Sequence, residues 1–353
     1  MFLGETMKKV LIFFLSVFLF YGCFETKASS STKEVPINMS AVAAILMDKD
    51  SGRILYQKNI NVRFLTASIS KILTCIVAIE NGNLEEYYEV DEETARQEGS
   101  SLYLELGDKV KLIDLLYGLM LRSGNDAAVL IARNLFKNYD HFIYIMNETA
   151  KRIGMNNSTF SNPSGLDEGT ANFSTCHDMA LLMAYALDNH LFRKISSTRT
   201  YRIITKNEMI VDCYNKHHLV HSLDYVTGGK TGYTTSAKRT LVTSAMKDDM
   251  ELIAITMNSN NDDFIVHRQL FEYGFENYNM FLVLKRQIIK VSDSFYKATP
   301  VILEDIKYPV MVDEDVNCII RLLKNPGSKL IIGQAIIRLN GKVVKRVDIY
   351  RYY

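Results

Sequence analysis

The pattern of apolar and polar positions changes character several times along the chain. Val10 to Phe20 is one apolar run, broken only by Ser16 and preceded by Lys8-Lys9. It is short for a membrane span, and the small residues Ala28-Ser29-Ser30 follow where a signal peptidase would cut. Residues 1–30 are therefore expected to be an export signal, with Met7 as a second candidate start. An uncleaved anchor and lipid attachment at Cys23, after Gly22, are the alternatives, so membrane association stays open.

Past a polar link at Ser29 to Glu34, Ala41 to Met47 reads as a strand and Asp50-Ser51-Gly52 as the turn into Arg53 to Gln57, which predicts a buried hairpin. Ser68 to Glu80 is apolar on nearly every face and ends at Asn81-Gly82, the pattern of a helix in the centre of a core. Leu112 to Leu121 is a second helical run, interrupted at Ser123-Gly124-Asn125 before helical spacing resumes through Phe136. Tyr139 to Ile153 closes at Gly154, and Thr175 with Asp178 resembles a capping box for a helix through Asn189. Residues 66–215 are thus expected to be mainly helical.

Beyond Lys216 the period shortens. Arg239 to Ala245 and Glu251 to Met257 read as strands joined across Lys247-Asp248-Asp249, followed by a helix from Asp262 to Phe275. The fold class implied is α/β in the α+β sense: an antiparallel sheet whose two halves are separated in sequence by an inserted helical region. From Leu282 onward Val, Ile and Leu recur in short runs. Ala335 to Leu339, Asn340-Gly341 and Lys342 to Ile349 give a strong hairpin signal. We expect a catalytic domain at 36–280 and a small β-rich C-terminal domain at 282–353, with no internal repeat.

Composition narrows the function classes. The 353 residues are 48% hydrophobic, enough for a large core. Lys and Arg number 41 against 40 Asp and Glu, so no nucleic-acid partner is implied and function must reside in local sites. Among the five cysteines, Cys23 falls in the signal, and Cys75, Cys176, Cys213 and Cys318 show no Cys-x-x-Cys spacing. Cys75, one turn past Lys71, is expected to be a small buried hydrophobe. His217, His218 and His221 cluster without an acidic or cysteine partner at ligand spacing and are expected to be exposed loop residues, so no metal or other cofactor is expected. Tyr350, Tyr352 and Tyr353 form an aromatic tail expected to complete packing.

Three motifs occur in a telling order: Ser68-Ile69-Ser70-Lys71, Ser123-Gly124-Asn125 and Lys230-Thr231-Gly232. None suffices alone, because Ser-x-x-Lys also occurs at Ser30, Ser244 and Ser294. Together they read as a serine acyl-transfer site. Ser68 opens its helix, and Lys71 lies on the same face within reach as a base. An ordinary lysine would be protonated, so burial, and a second cation such as Lys230, must depress Lys71. The helix N-terminus adds positive potential where an oxyanion develops. Ser123 can relay a proton, Asn125 can bond a substrate amide, and Lys230, beginning a late strand, can hold a carboxylate with Thr231. Gly232 lets substrate backbone approach closely.

The chain resembles the low-molecular-mass penicillin-binding proteins, specifically the serine D-alanyl-D-alanine carboxypeptidases of peptidase S11 type. The resemblance covers about residues 36–280. Beside the three motifs it includes Asp126-Ala127, Asn162-Pro163-x-Gly165-Leu166-Asp167, Tyr233-Thr234 and Tyr273-Gly274-Phe275. It implies a penicillin-binding/β-lactamase-like transpeptidase fold, an acyl-enzyme on Ser68 with Lys71 as base, and Ser123 and Asn125 completing proton transfer and substrate binding. It also implies carboxylate binding by Lys230 and Thr231, and an oxyanion hole from the N–H groups of Ser68 and Tyr233. The implied partners are peptidoglycan stem peptides and β-lactams as covalent inhibitors, in the cell envelope outside the cytoplasmic membrane.

Some features depart from that pattern. Ala237-Lys238-Arg239-Thr240 stands where many relatives have Ala-Gly, a form associated with sporulation-linked Gram-positive branches. Some relatives place an arginine after the last strand, where this chain has Asn258-Ser259-Asn260-Asn261. Several relatives also end in an amphipathic membrane-anchoring helix, whereas here the residues after Gly341 read as a strand. Three rival functions stay in view. A class A-like β-lactamase would use a loop glutamate, and Glu168 with Asn172 has the spacing, though Ala171 stands where leucine is expected. The others are a D,D-endopeptidase and a weakly catalytic envelope scaffold.

Overall fold

The run from Ala41 is apolar because its strand is covered on both faces. The computed structural model describes residues 37–292 and 296–352. Strand β1 (Ala43–Asp48) is buried at every position. Its odd residues Ala43, Ile45 and Met47 join the larger core under the helices, whereas Leu46 joins a second core on the opposite face. That alternation is the period-two geometry of a strand between two layers.

The sheet is completed by β2 (Ile54–Lys58), β3 (Val226–Thr234), β4 (Lys238–Lys247) and β5 (Met250–Ser259), in the order β2-β1-β5-β4-β3 and antiparallel throughout. The first hairpin and the late strands meet where Ile45 pairs with Ile255. The helical region is therefore an insertion between two halves of one sheet.

Within that insertion, α1 (Lys71–Asn81) is buried continuously from Lys71 to Ala78. Around it lie α2 (Leu112–Leu121), α3 (Asn125–Asn134), α4 (Tyr139–Ile153), α5 (Cys176–Leu187) and α6 (His190–Ser197). Gly154 ends α4 in the left-handed conformation at φ 95°, and Thr175 caps α5 by accepting from Asp178 N–H. The expectation of a mainly helical 66–215 omits a hairpin, Thr200–Ile204 with Ile210–Tyr214. There Tyr201 stacks on Tyr117 of α2 with ring centroids 3.7 Å apart. The opposite sheet face is covered by α7 (Asp263–Asn277), whose Val266, Leu270 and Phe271 fill the second core.

A strand at Asn279–Leu284 pairs with Ile306–Val310 and runs through the domain boundary expected near residue 281. The C-terminal sheet orders Gln287–Ile288, Thr299–Ile302, Lys342–Tyr352, Ile331–Leu339 and Val316–Leu322. Its hairpin turns on Asn340 and Gly341, both at positive φ (49° and 77°), as a tight primed turn requires. Arg53 of the first hairpin meets this region. Its Nη1 and Nη2 donate to both carboxylate oxygens of Glu314 at 2.9 and 2.5 Å, and its guanidinium lies 5.0 Å from the Tyr278 ring centre.

The expected export signal, Cys23 and the Ser-x-x-Lys at Ser30 lie outside the described residues, as do Ser294 and Tyr353. Tyr350 and Tyr352 sit in the last strand, opposite Val301 and Thr299. Among the described residues no helix is long and apolar enough to cross a membrane.

Candidate active site

Ser68 does not start a regular α-helix but occupies a 3-10 turn, Ala67–Ser70, that runs directly into α1. Ala67, just before it, has φ 47°, a conformation that side chains disfavour and that functional sites often retain. The turn is held from below. Ser70 Oγ donates to Ala67 O at 2.7 Å, and Asn172 Nδ2 donates to Ser70 Oγ at 3.1 Å. Gly165, at φ 83°, lies so close that a Cβ there would stand 1.9 Å from Ala67 O. This is the structural content of the Asn162 to Asp167 stretch: it supports the turn that carries Ser68.

Lys71, the first residue of α1, is fully buried, with Nζ 2.9 Å from Ser68 Oγ. The same nitrogen donates to Asn125 Oδ1 at 2.8 Å and to Ser164 O at 2.5 Å. Burial, then the positive charge of Lys216, lower its pKa to about 7, against an opposing pull from Asp126. A lysine so placed is available as a base near neutrality. Beside the expected second cation, Lys230, which interacts with Lys71, Lys216 also bears on Lys71. Lys230 is itself fully buried and driven well below its ordinary pKa, first by burial and then by Lys71 and Lys216.

Ser123 sits on the turn between α2 and α3 at φ 66°, another unfavourable conformation beside the site. Asn125 is fixed through its backbone N–H to Ser100 O at 2.7 Å and its Nδ2 to Glu98 O at 2.6 Å. Asp126 gathers the same loop, accepting from Ser101 Oγ and from Leu102 and Leu104 N–H. These contacts make the second motif a rigid wall.

The third motif is central to its strand: Lys230 is the fifth residue of β3 and does not begin it. Lys230 Nζ donates to Thr231 O at 2.8 Å. At Gly232 a Cβ would lie 2.4 Å from Thr240 Oγ1 and 2.9 Å from Ser68 N, so the glycine admits the Ser68 turn itself. Thr234 Oγ1 donates to Asp167 Oδ2 at 2.8 Å, tying β3 to the stretch beneath Ser68.

One cleft of about 490 Å³ brings together Ser68, Ser123, Thr231, Gly232 and Tyr233. Lys71, Asn125 and Lys230 lie buried behind its wall. Its lining also includes Ser100, Lys216, Arg239 and Phe264. Lys216 donates to Ser100 Oγ at 2.8 Å. No spacing rule pointed to Lys216 or to the cleft-facing position of Arg239, because both depend on how separate segments pack.

Glu168 is exposed and is not part of the cleft lining, while Asn172 is spent on the Ser68 support. Of the three histidines expected to be exposed, His218 is so, but the others are not. His217 is buried, with Nε2 2.8 Å from Thr243 Oγ1, and His267 Nδ1 lies 2.7 Å from the same oxygen. His221 Nε2 meets Asn215 O, and His218 packs edge-on against Phe264. Among the described residues no group of His, Cys, Asp or Glu is arranged to hold a metal ion. Cys75 is buried, which pushes its thiol pKa far above its ordinary value and leaves it inert.

The family model described as D-alanyl-D-alanine carboxypeptidase, Peptidase_S11, matches residues 28–261. The chain belongs to this family. It is 30% identical over 253 residues to D-alanyl-D-alanine carboxypeptidase DacF of Bacillus subtilis, covering 70% of this chain and 65% of that protein. It is 32% identical over 285 residues to DacC of Escherichia coli, covering 74% and 67%. The chain thus spans about two thirds of the length of these curated relatives. Among solved structures, penicillin binding protein 5 of Haemophilus influenzae superposes with a TM-score of 0.76 at 25% identity, over 89% of this S11 chain and 97% of that one. The architecture is the penicillin-binding protein fold, with a β-sheet region after the catalytic part.

Proposed function

We propose that this chain is a serine D-alanyl-D-alanine carboxypeptidase that removes the terminal D-alanine from peptidoglycan stem peptides through an acyl-enzyme on Ser68. The observation that carries the reading is the 2.9 Å approach of a fully buried Lys71 Nζ to Ser68 Oγ, at the floor of a cleft walled by the other two motifs.

In this reading, neutral Lys71 takes the Ser68 proton as Oγ attacks the carbonyl of the penultimate residue. The oxyanion forms against the N–H groups of Ser68 and Tyr233. As an early N–H of its turn, that of Ser68 has no carbonyl within the turn to bond. Ser123 passes a proton to the departing amine, and D-alanine leaves. Water then adds to the ester carbonyl, Ser68 Oγ departs with a proton, and the shortened peptide is released. Asn125 holds both Lys71 and the substrate amide, and Thr231 with Lys230 binds the terminal carboxylate. β-Lactams, which share the acylating carbonyl and the carboxylate, acylate Ser68 covalently. The site of action is the cell envelope, following export. The catalytic domain is placed at residues 36–280 and an accessory β domain at 282–353, with the Asn279–Leu284 strand crossing between them.

Mass spectrometry after penicillin treatment, with the adduct mapped to a peptide, tests the nucleophile. Release of D-alanine from a pentapeptide analogue tests the activity. An adduct on any other residue refutes the mechanism. Rapid penicillin turnover without a long-lived adduct would favour the lactamase reading.

A further inference from the structure

The near-neutral charge of the whole chain hides an uneven division. Residues 37–281 carry 24 Lys and Arg against 30 Asp and Glu, whereas residues 282–353 carry 13 against 7. A basic part on an otherwise acidic chain is a feature of contact with an anionic partner. In the C-terminal sheet much of the excess is gathered on one face.

The strands Val316–Leu322, Ile331–Leu339 and Lys342–Tyr352 lie side by side with Ile331–Leu339 in the middle. One face packs into the C-terminal core through Cys318, Leu322, Ala335, Ile337 and Ile349. Successive side chains alternate, so Ile319, Arg321, Ile336, Arg338 and Arg346 stand on the other face. Ile336 is opposite Arg346 on one neighbour and Ile319 on the other. Arg338 is two residues along the strand of Ile336, and Arg321 two residues past Ile319. Three arginines thus surround Ile336, and diagonal neighbours in a sheet are only about 7–8 Å apart. Ile336 is 3% exposed although it belongs to none of the hydrophobic cores. Arginine stems cover such a residue while their heads stay in water.

Elsewhere in the molecule buried or half-buried arginines are matched to carboxylates: Arg53 to Glu314 and Arg193 to Glu251, each through two nitrogens. Arg321, Arg338 and Arg346 have no ion pair or hydrogen bond to a described residue. For Arg338 this is costly, because its Nε is buried without an acceptor. The one acid on the face, Asp348, accepts from Gln334 Nε2 at 3.2 Å. The face therefore lacks anions, and its paired N–H donors match phosphate groups. Their zigzag over three strands suits an anion repeated along a chain better than one small ion. Insertion into a bilayer is not what the face is built for: Ile319 and Val343 are only 37% and 45% exposed, and the chain has no Trp.

We propose that the outer face of the C-terminal sheet, centred on Arg321, Arg338 and Arg346, binds a linear polyphosphodiester of the cell envelope. A phosphodiester keeps one negative charge per repeat at any pH the fold survives, and each arginine takes a successive phosphate. The contact goes beyond the peptidase reading and takes from it only the location outside the cytoplasmic membrane. It tethers the enzyme to its surroundings through a surface that plays no part in the Ser68 chemistry.

The experiment measures binding of the full chain to poly(glycerol phosphate), to poly-glutamate and to phosphatidylglycerol vesicles. It compares wild type with the triple variant Arg321→Gln/Arg338→Gln/Arg346→Gln. A second triple variant, Lys285→Gln/Arg286→Gln/Lys290→Gln, removes as much charge from elsewhere in the same region. Wild type should bind poly(glycerol phosphate) most tightly. Three phosphate contacts predict a log–log salt slope of about −2, so a threefold rise in salt should weaken binding roughly tenfold. The arginine variant should lose at least about tenfold in affinity, and the lysine-rich control less than about twofold. Arg321→Lys/Arg338→Lys/Arg346→Lys, which keeps the charges but not the paired donors, should fall between. Urea midpoints show whether each variant is folded, and penicillin labelling of Ser68 should be the same in all. Equal losses in the two glutamine variants would reduce the effect to net charge and overturn the proposal. So would no binding by wild type, or binding to poly-glutamate or vesicles as tight as to the phosphodiester. Absence of a Ser68 adduct in wild type would count against the peptidase reading alone.

Discussion

Gly232→Ala offers a sharp test of how the site is assembled. An added Cβ would stand 2.9 Å from Ser68 N, 3.1 Å from Ile69 N and 2.4 Å from Thr240 Oγ1. Restoring ordinary van der Waals contact requires movement of roughly 0.5 Å against the Ser68 turn and roughly 1 Å against Thr240. Two of the three atoms are backbone, in a turn already pinned by Gly165 and Ser70. Overpacking of this size costs about 1–3 kcal/mol of stability. The consequence for rate is separate, because displacement of a reacting group by about 1 Å costs on the order of 100-fold. We expect the variant to be folded, somewhat less stable to urea, and, with the Ser68 turn moved by half that distance, slower in penicillin acylation by about one order of magnitude. Adding Thr240→Ala removes the contact most easily relieved, so it should return stability without returning the rate. Wild-type acylation in Gly232→Ala, or full rescue by Thr240→Ala, would refute the view that close approach of β3 sets the position of Ser68.

Because Lys71 must be neutral to act as a base, penicillin acylation should rise with pH through a midpoint near 7 and level off above it, and a flat profile from pH 5 to 9 would contradict its role. Lys216→Met should move that midpoint upward by removing a neighbouring positive charge. Acid should weaken the fold through His217 and His267, since burial lowers the pKa of both, to about 3 for His217. Their contribution is fully present above the unfolded histidine pKa of about 6.5. It is lost as pH falls below that value, by up to about 1.4 kcal/mol per pH unit for each residue. Urea midpoints at pH 7 and 5 measure the loss, and a His217→Gln/His267→Gln variant should show a shallower dependence. Arg53→Ala should cost about 2–3 kcal/mol by leaving Glu314 unpaired between the first hairpin and the C-terminal region. Arg53→Ala/Glu314→Gln should regain part of that in urea unfolding, and equal losses in the single and double variants would show the pair to be inert.

Elements were legible in the sequence where burial imposed a repeat long enough to see. The β1 run, α1 and the α4 helix with its terminal glycine all show their environment in their side chains, because few other surroundings tolerate those patterns. The hairpin at Thr200–Tyr214 was not read. Its strands are five residues each and half exposed, and they carry the charged pair Arg202 and Asp212 across the ladder. Alternation over five positions with charges on one face resembles a polar loop; what orders it is distant in sequence, since Ile203, Val211 and Cys213 enter the larger core and Tyr201 stacks on Tyr117 and donates to Asp114. The histidines misled for a related reason. Three close together beside a motif suggest exposure, yet Gly229 leaves just enough room for the His217 ring, with a Cβ there only 2.7 Å from Nε2. Glycine spacing on one strand thus decided the environment of a residue twelve positions earlier.

The same distinction separates the parts of the site. Ser68 and Lys71 are three residues apart, so local geometry alone brings them together and the motif is readable. The charge that tunes Lys71 is not local, since Lys216 reaches it by docking on Ser100, on the opposite wall. Two lysines are buried where a charge is costly, and two cations stand on the cleft walls with partners of their own: Lys216 on Ser100 and Arg239 on Asp263. Burial suits proton transfer because it lowers the cost of the neutral amine relative to the ammonium. It suits anion binding poorly for the same reason. A site that must both take a proton from a serine and hold a carboxylate therefore gains from backing its buried lysines with cations nearer the surface, and the cleft places the two kinds at different depths.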